Sequence, residues 1–346
     1  MSKKLTLYKY LFWLLPFGVA LGMGAVIVAL AGGSPGQVAS SLLGGAFGTI
    51  DQMARVAATL TALVIVTSGL AYASSAGIYN LGIEGQITLG AIATTFALRS
   101  LQELIPAPLT IALALVAGII GGTLWGLLAG SLNVFGRVSE IFAGLGLNFV
   151  AQGLALYLVF GPWKRPGVAS MSGTEQFDQS LWLPTLGRTE FSPIAISLAA
   201  ISLAMTIVLL QRSYFGLELK AVGKNLRAAH TLGVAAEQKL LAAFALCGGF
   251  AGLVGALQVL AVFHRLIPSI SSNLGFIGLL VVMLTGDALW AILPVATFFS
   301  ALNVGSLQLP LALNLESSLA GVMQGSLVLF VLLARGWTKP DPGVNL

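Results

Sequence analysis

The sequence predicts an all-α membrane protein, a polytopic bundle of about ten transmembrane helices with one short helix outside the bilayer. Three observations carry that expectation. Of the 346 residues, 57% are apolar and only 8% charged, against roughly 25% charged in an ordinary soluble domain. The charge needed to cover a soluble surface is absent. The apolar residues are also gathered into long uncharged runs. A helix needs about 20 mostly apolar residues to cross about 30 Å of hydrocarbon, so this composition suffices for about ten crossings. Finally, glycines recur at four-residue spacing, as close helix packing in lipid requires. Cys247 is the only cysteine, which excludes a disulfide scaffold. On such a chain a net charge of +5 reports orientation rather than nucleic-acid binding.

The spans are placed near residues 11–31, 54–73, 81–98, 108–131, 139–160, 193–211, 239–262, 275–287, 289–308 and 318–334, in one transmembrane domain covering 1–346. The first run is longer than the roughly 7–15 apolar residues of a signal peptide, so it is read as a retained span. With the N-terminus inside, eleven of the 17 basic residues fall on the cytoplasmic side, among them Lys3, Lys4, Arg212, Lys220, Lys224 and Arg227. That excess satisfies the positive-inside rule and puts the C-terminus inside as well. Gly118, Gly122, Gly126 and Gly130 lie on one face of the fourth span, and Gly248 and Gly252 repeat the device in the seventh. Both faces are expected to seal the bundle rather than to dimerise it.

Residues 212–238 form the longest inward segment. From Asn225 it carries Leu226, Ala229, Leu232 and Gly233 at helical spacing, with Lys224, Arg227 and His230 on other faces. Asn225 can cap the start and Gly233 the end, giving about two turns. So short a helix is marginal alone in water and must rest on something. It is expected to lie across the cytoplasmic surface and offer its free side to a partner protein. The outward segment 161–192 mixes Pro, Gly, Trp and both charges, as a landing surface or a plain solvated loop would.

A second informative stretch is Tyr79-Asn80-Leu81-Gly82-Ile83-Glu84-Gly85-Gln86. Glu84 falls just inside a span, where an ionised carboxylate must be paired or watered. It either bonds backbone groups freed by the glycine-rich break or contacts a solute. Asn273-Leu274-Gly275-Phe276-Ile277-Gly278 echoes this stretch, and in the topology above it enters the membrane from the opposite side. Such inverted repeats carry solute sites at their interface, on interrupted helices.

These two stretches resemble a known family. FGLELKAVGKNLRAAHTLGV is similar to the coupling segment of ABC-importer permeases of the branched-chain amino acid, ribose and nucleoside group. Gly216, Leu219, Ala221, Val222, Gly223, Asn225, Ala228, Ala229 and Gly233 match as they stand, whereas Lys220, Val234 and Leu226 replace the usual Arg, Ile and Pro. The stretch from Asn80 to Gln86 looks like the nucleoside-type members in particular. The resemblance implies a permease of the bacterial inner membrane with no cofactor of its own, ATP being bound by a separate ATPase subunit. It also implies a second permease, alike or related, and an extracytoplasmic solute-binding protein. Gly216, Lys220, Gly223, Lys224, Asn225, Arg227, Ala228, Ala229 and Gly233 would then couple to the ATPase.

The chemistry absent from the sequence agrees. Gly223-Lys224 is followed by Asn225 and is no phosphate-binding loop. His230 and His264, the only histidines, lie apart and show no metal-ligand spacing. No catalytic cluster is visible, and no Lys or Arg lies deep in a span. The polar groups within spans are mainly amides, which suit a neutral solute, and Tyr79 and Phe276 could stack on a base. The expected pathway residues are Tyr79, Asn80, Glu84, Gln86, Asn148, Asn273 and Phe276. A nucleoside fits best. The alternatives are a simple sugar carried by the same kind of permease, or an ion-coupled secondary transporter with Glu84 as its ion site.

Overall fold

The computed structural model describes residues 32–165, 172–187 and 189–338, together with Gly22, Ala25, Val26, Val28 and Ala29. Most of the expected first span, and the tail after residue 338, lie outside the described residues. Within them every regular element is helical. The main helices are α1 (Pro35–Phe47), α2 (Ile50–Ser75), α3 (Ile83–Leu101), α4 (Ala107–Val134), α5 (Glu140–Phe160), α6 (Pro193–Arg212), α7 (Tyr214–Lys224), α8 (Leu226–Thr231), α9 (Ala236–Leu257), α10 (Leu274–Thr285), α11 (Ile292–Ser306), α12 (Leu309–Leu313) and α13 (Ser318–Thr338).

Among the described residues six segments are long and apolar enough to cross a membrane: Ile50–Ser75, Ala107–Val134, Glu140–Phe160, Pro193–Arg212, Ala236–Phe263 and Leu289–Ser306. They match six of the expected spans within a few residues. The expected span 81–98 forms α3, where Glu84, Gln86, Arg99 and the threonines lower the hydropathy. The expected span 275–287 forms α10, whose 12 residues rise only about 18 Å. Helix α1 was not anticipated. It starts at Pro35 and buries Val38, Leu42, Gly45 and Ala46, with Gly45 against the Gly305 backbone.

The centre of the bundle is a seam without side chains. A Cβ on Gly122 would collide with the Gly248 carbonyl oxygen, and one on Gly252 with that of Gly118. Helices α4 and α9 therefore touch backbone to backbone along the predicted glycine faces. Helix α3 joins the seam through Gly90 on Gly252 and Gly255 on Ile87. Dispersion between closely approached backbones holds such a contact where lipid provides no hydrophobic drive.

Helix α2 spans about 39 Å and serves as a ruler for depth. Its end at Ser75 abuts Gly223, its middle at Val66 and Leu70 abuts Gly278, and Val56 clusters with Ala46 and Val304 near its start. Helix α10 therefore begins partway through the bundle. Gly275 lies on Ile83 and Glu84, so α3 also begins there. The two echoed segments thus meet, each opening a helix inside the bundle.

Candidate functional site

Each of these interior helix starts must satisfy N–H groups that have no partner within the helix. Neither is capped by its own flanking residue: Gly82 has no side chain, and Asn273 makes no capping bond. The caps come from neighbouring helices instead. For α3, the Asn148 side chain of α5 accepts from the Gly85 N–H at 2.7 Å and donates to the Leu81 carbonyl at 2.7 Å. For α10, Glu84 Oε1 accepts from the Phe276 N–H at 2.9 Å, with Gly275 packed against the carboxylate. Ser272 and Asn273 hold φ of 49° and 59°, the left-handed turn that brings the chain into α10.

Around these caps lies a cavity of about 270 Å³, just under the usual ~300–1,000 Å³ range of small-molecule sites. Glu84 and Thr88 line it from α3, Leu145, Asn148, Phe149 and Gln152 from α5, and Pro268, Ser269, Ser271, Ser272, Asn273 and Phe276 from the entry to α10. Among the described residues no Lys, Arg or His lines it. Phe149 and Phe276 supply aromatic rings, 76% and 38% exposed.

Four of the seven expected pathway residues, Glu84, Asn148, Asn273 and Phe276, therefore line one cavity. The other three do not. Tyr79 is 54% exposed outside the lining, because the turn after α2 faces it away. Asn80 and Gln86 are buried against α9: Asn80 Nδ2 donates to Gln86 Oε1 at 3.0 Å and to Cys247 Sγ at 3.1 Å, and Asn80 Oδ1 accepts from the Gly82 N–H at 3.2 Å. They brace the break from behind. The lining missed in the sequence includes Leu145 and Phe149, whereas Gln152 is one of the amides read there as lying within a span. With Asn148 these stand at i, i+3, i+4 and i+7, so one helical face drawn through Asn148 would have found them.

At the far end of α2, the segment after α6 folds into two helices rather than one. Helix α7 is capped by Ser213, whose hydroxyl oxygen accepts from the Gly216 N–H at 3.2 Å, and it buries Gly216, Leu219 and Val222 at three-residue intervals. Asn225 ends α7 and caps α8, its side-chain oxygen accepting from the Ala228 N–H at 3.0 Å. Gly233 follows with φ of 83°. The expected cap and stop are in place. The expected resting face is corrected. Only Ala229 packs inward, against Val222 and Ala236, whereas Leu226 and Leu232 stand exposed, Leu232 at 81%. A helix of six residues has one inward position here, and the smaller side chain takes it. Lys224, Arg227 and Ala228 are exposed on the same surface, and Lys220 is half-buried. Gly223 presses on the Ser75–Gly77 turn so closely that any side chain would strike its backbone. Two residues, Ile78 and Tyr79, separate that turn from Asn80.

At the opposite end, residues 172–187 strap the end of α9. The Thr174 and Phe177 N–H groups donate to the carbonyls of Leu266 and His264 at 2.9 Å each, and Leu183 N–H donates to that of Leu260 at 3.0 Å. Trp182 stacks on His264 with centroids 3.7 Å apart. Burial lowers the His264 pKa from its ordinary value. The strapped segment leads directly into the cavity lining.

An apolar helical bundle with two helices opening inside it around a polar cavity defines a multi-pass membrane permease. The chain belongs to the family of branched-chain amino acid transport system permease components, whose profile matches residues 52–332. It is similar to the guanosine ABC transporter permease protein NupP of Bacillus subtilis, at 26% identity covering 90% of each chain. It is also similar to the glucose ABC transporter permease protein TsgB13 of Haloferax volcanii, at 26% identity over 94% of this chain and 87% of that one. The nucleoside ABC transporter permease protein NupB of Lactococcus lactis is 25% identical over 82% of this chain and 80% of its own.

Proposed function

We propose that this chain is the transmembrane subunit of an ATP-driven importer in the bacterial inner membrane, carrying a neutral polar solute, a nucleoside, by alternating access. In this reading it has about ten spans with both termini inside, and residues 1–346 make one domain. The cavity carries the assignment. Amides, hydroxyls and two aromatic rings converge on it, and no cation lines it to receive a phosphate or carboxylate. That inventory suits a base and a sugar. The nucleoside permeases among its relatives support the reading.

The apolar and basic surface of α7 and α8 would seat a separate ATPase, and a second permease, alike or related, would complete the membrane unit. A solute-binding protein would dock at the end strapped by residues 172–187. Closure of the ATPases would drive α7 against the Ser75–Gly77 turn, and through it the start of α3. The solute contributes to the switch only through different affinities for the two states.

The test is uptake of radiolabelled nucleosides and hexoses by cells expressing the chain together with an ABC ATPase, a second permease and a solute-binding protein from the same organism. ATP-dependent nucleoside uptake that fails when Gly223→Leu is introduced supports the proposal. Uptake of hexoses alone would favour a sugar permease, a reading supported by the glucose relative. Uphill transport on an ion gradient by liposomes holding only this chain would overturn it.

A further inference from the structure

Within the bundle, the start of α10 is a place where an anion would bind, since unpaired N–H groups and the helix dipole favour negative charge there. In transporters built on broken helices, such half-helix starts receive the anionic group of the solute. Here that position is already filled by the chain's own carboxylate. Glu84 reaches across from α3, accepts from the Phe276 N–H at 2.9 Å, and packs its carboxylate against Gly275. It is 8% exposed and lines the cavity together with Ser271 and Phe276. The other helix start at the cavity is closed by the neutral Asn148, so Glu84 is the one acidic or basic side chain among the described residues of the lining.

We infer that Glu84 is the selectivity residue of this cavity: a tethered anion that occupies the α10 start, closes the site to phosphates and carboxylates, and leaves it to uncharged, hydroxyl- and amide-bearing solutes. The helix dipole balances only about half a charge, so the lining remains negative to anything that enters. A nucleoside enters and its phosphate ester does not. This inference rests on the cavity being the solute's path, as proposed above.

The test reads the field in the cavity without using transport. Cys247 is buried, so a cysteine placed at the exposed lining position Ser272 is the reactive thiol in a detergent- or nanodisc-held full chain. Its labelling is compared for sulfonatoethyl (anionic) and trimethylammonium-ethyl (cationic) methanethiosulfonates, each corrected for its rate with a free thiol. With Glu84 present, S272C reacts at least about tenfold faster with the cation, and adding E84Q removes most of that preference. Equal corrected rates for the two reagents in S272C, or a preference unchanged in E84Q, would overturn the inference. Should E84Q fail to fold, T88K serves instead: it adds a cation to the lining, leaves Glu84 in place, and should abolish or invert the preference. A retained preference in T88K counts against the inference too. Failure of nucleoside uptake would sink the proposed function and leave these rates as they are, so the two failures are told apart.

Discussion

The two sides of α3 are held by different means. Toward α9 the contact is close backbone packing, Gly90 on Gly252 and Gly255 on the Ile87 carbonyl, and toward α4 small residues pack closely while the Thr94 hydroxyl donates to the Ala114 carbonyl. Toward α5 and α10 one close backbone contact, Gly82 on Gly144, is joined by two polar side chains, Asn148 and Glu84, each bonded to the open start of another helix. A backbone seam slides only by losing its packing, since a close-packed interior does not deform continuously. Side-chain caps can exchange one acceptor for another. The difference teaches where the proposed transport cycle would move this molecule: α3, α4 and α9 would act as a slab, and the seam around the cavity would open.

The largest effect is expected from filling the slab. Gly252→Leu would drive a side chain into the Gly118 backbone, costing about 3 kcal/mol or more. The folded, monodisperse yield from membranes should collapse; a normal yield and melting temperature would show that the seam is not rigid. Next comes Asn148→Ala, which strands the Gly85 N–H and the Leu81 carbonyl at about 1–3 kcal/mol each. The protein should still fold with a lowered melting temperature, and amide exchange at Gly85 should rise while that at Gly252 stays slow. Exchange rising equally at both would erase the contrast between the two sides.

A smaller effect is expected away from both seams. Asn225→Ala removes the cap of α8 at about 1 kcal/mol. It should lower solute-stimulated ATP hydrolysis in the assembled importer while the bundle's melting temperature barely changes. The smallest is a pH effect on the strap. Burial holds His264 neutral in the folded protein, its pKa lying below the ordinary value of 6.5. The opened strap therefore takes up a proton first as the pH falls below about 6.5, and its stability declines toward the depressed folded pKa. Amide exchange at Leu183 should quicken over that interval, and His264→Phe should flatten the profile.

Much of this arrangement could be read in the chain. The glycine faces of α4 and α9, the cap at Asn225 and the stop at Gly233 each depend on residues close in sequence. The echo between residues 80–85 and 273–278 marked the two segments that the fold brings together. The sides of residues were harder to read. Asn80, Gln86 and Glu84 lie within seven positions, yet two brace α9 and one caps α10, because a chain leaving a turn at Gly82 can start its helix at any rotation. Helix α7 was missed because its buried residues, Gly216, Leu219 and Val222, are too small and too few to stand out from a loop. Phe149 was missed because an aromatic residue in an apolar span carries no mark of the surface it meets.

By itself the sequence determined that this is an apolar helical bundle, where its glycines let backbones touch, and which short segments break the helical pattern, because these follow from side-chain size, period and the cost of charge in lipid. Only the tertiary structure decided which partner each broken helix start would find. An open N–H group can be satisfied by any acceptor within reach, and the reach of Asn148 and Glu84 is set by how α3, α5 and α10 cross, not by their neighbours in the chain.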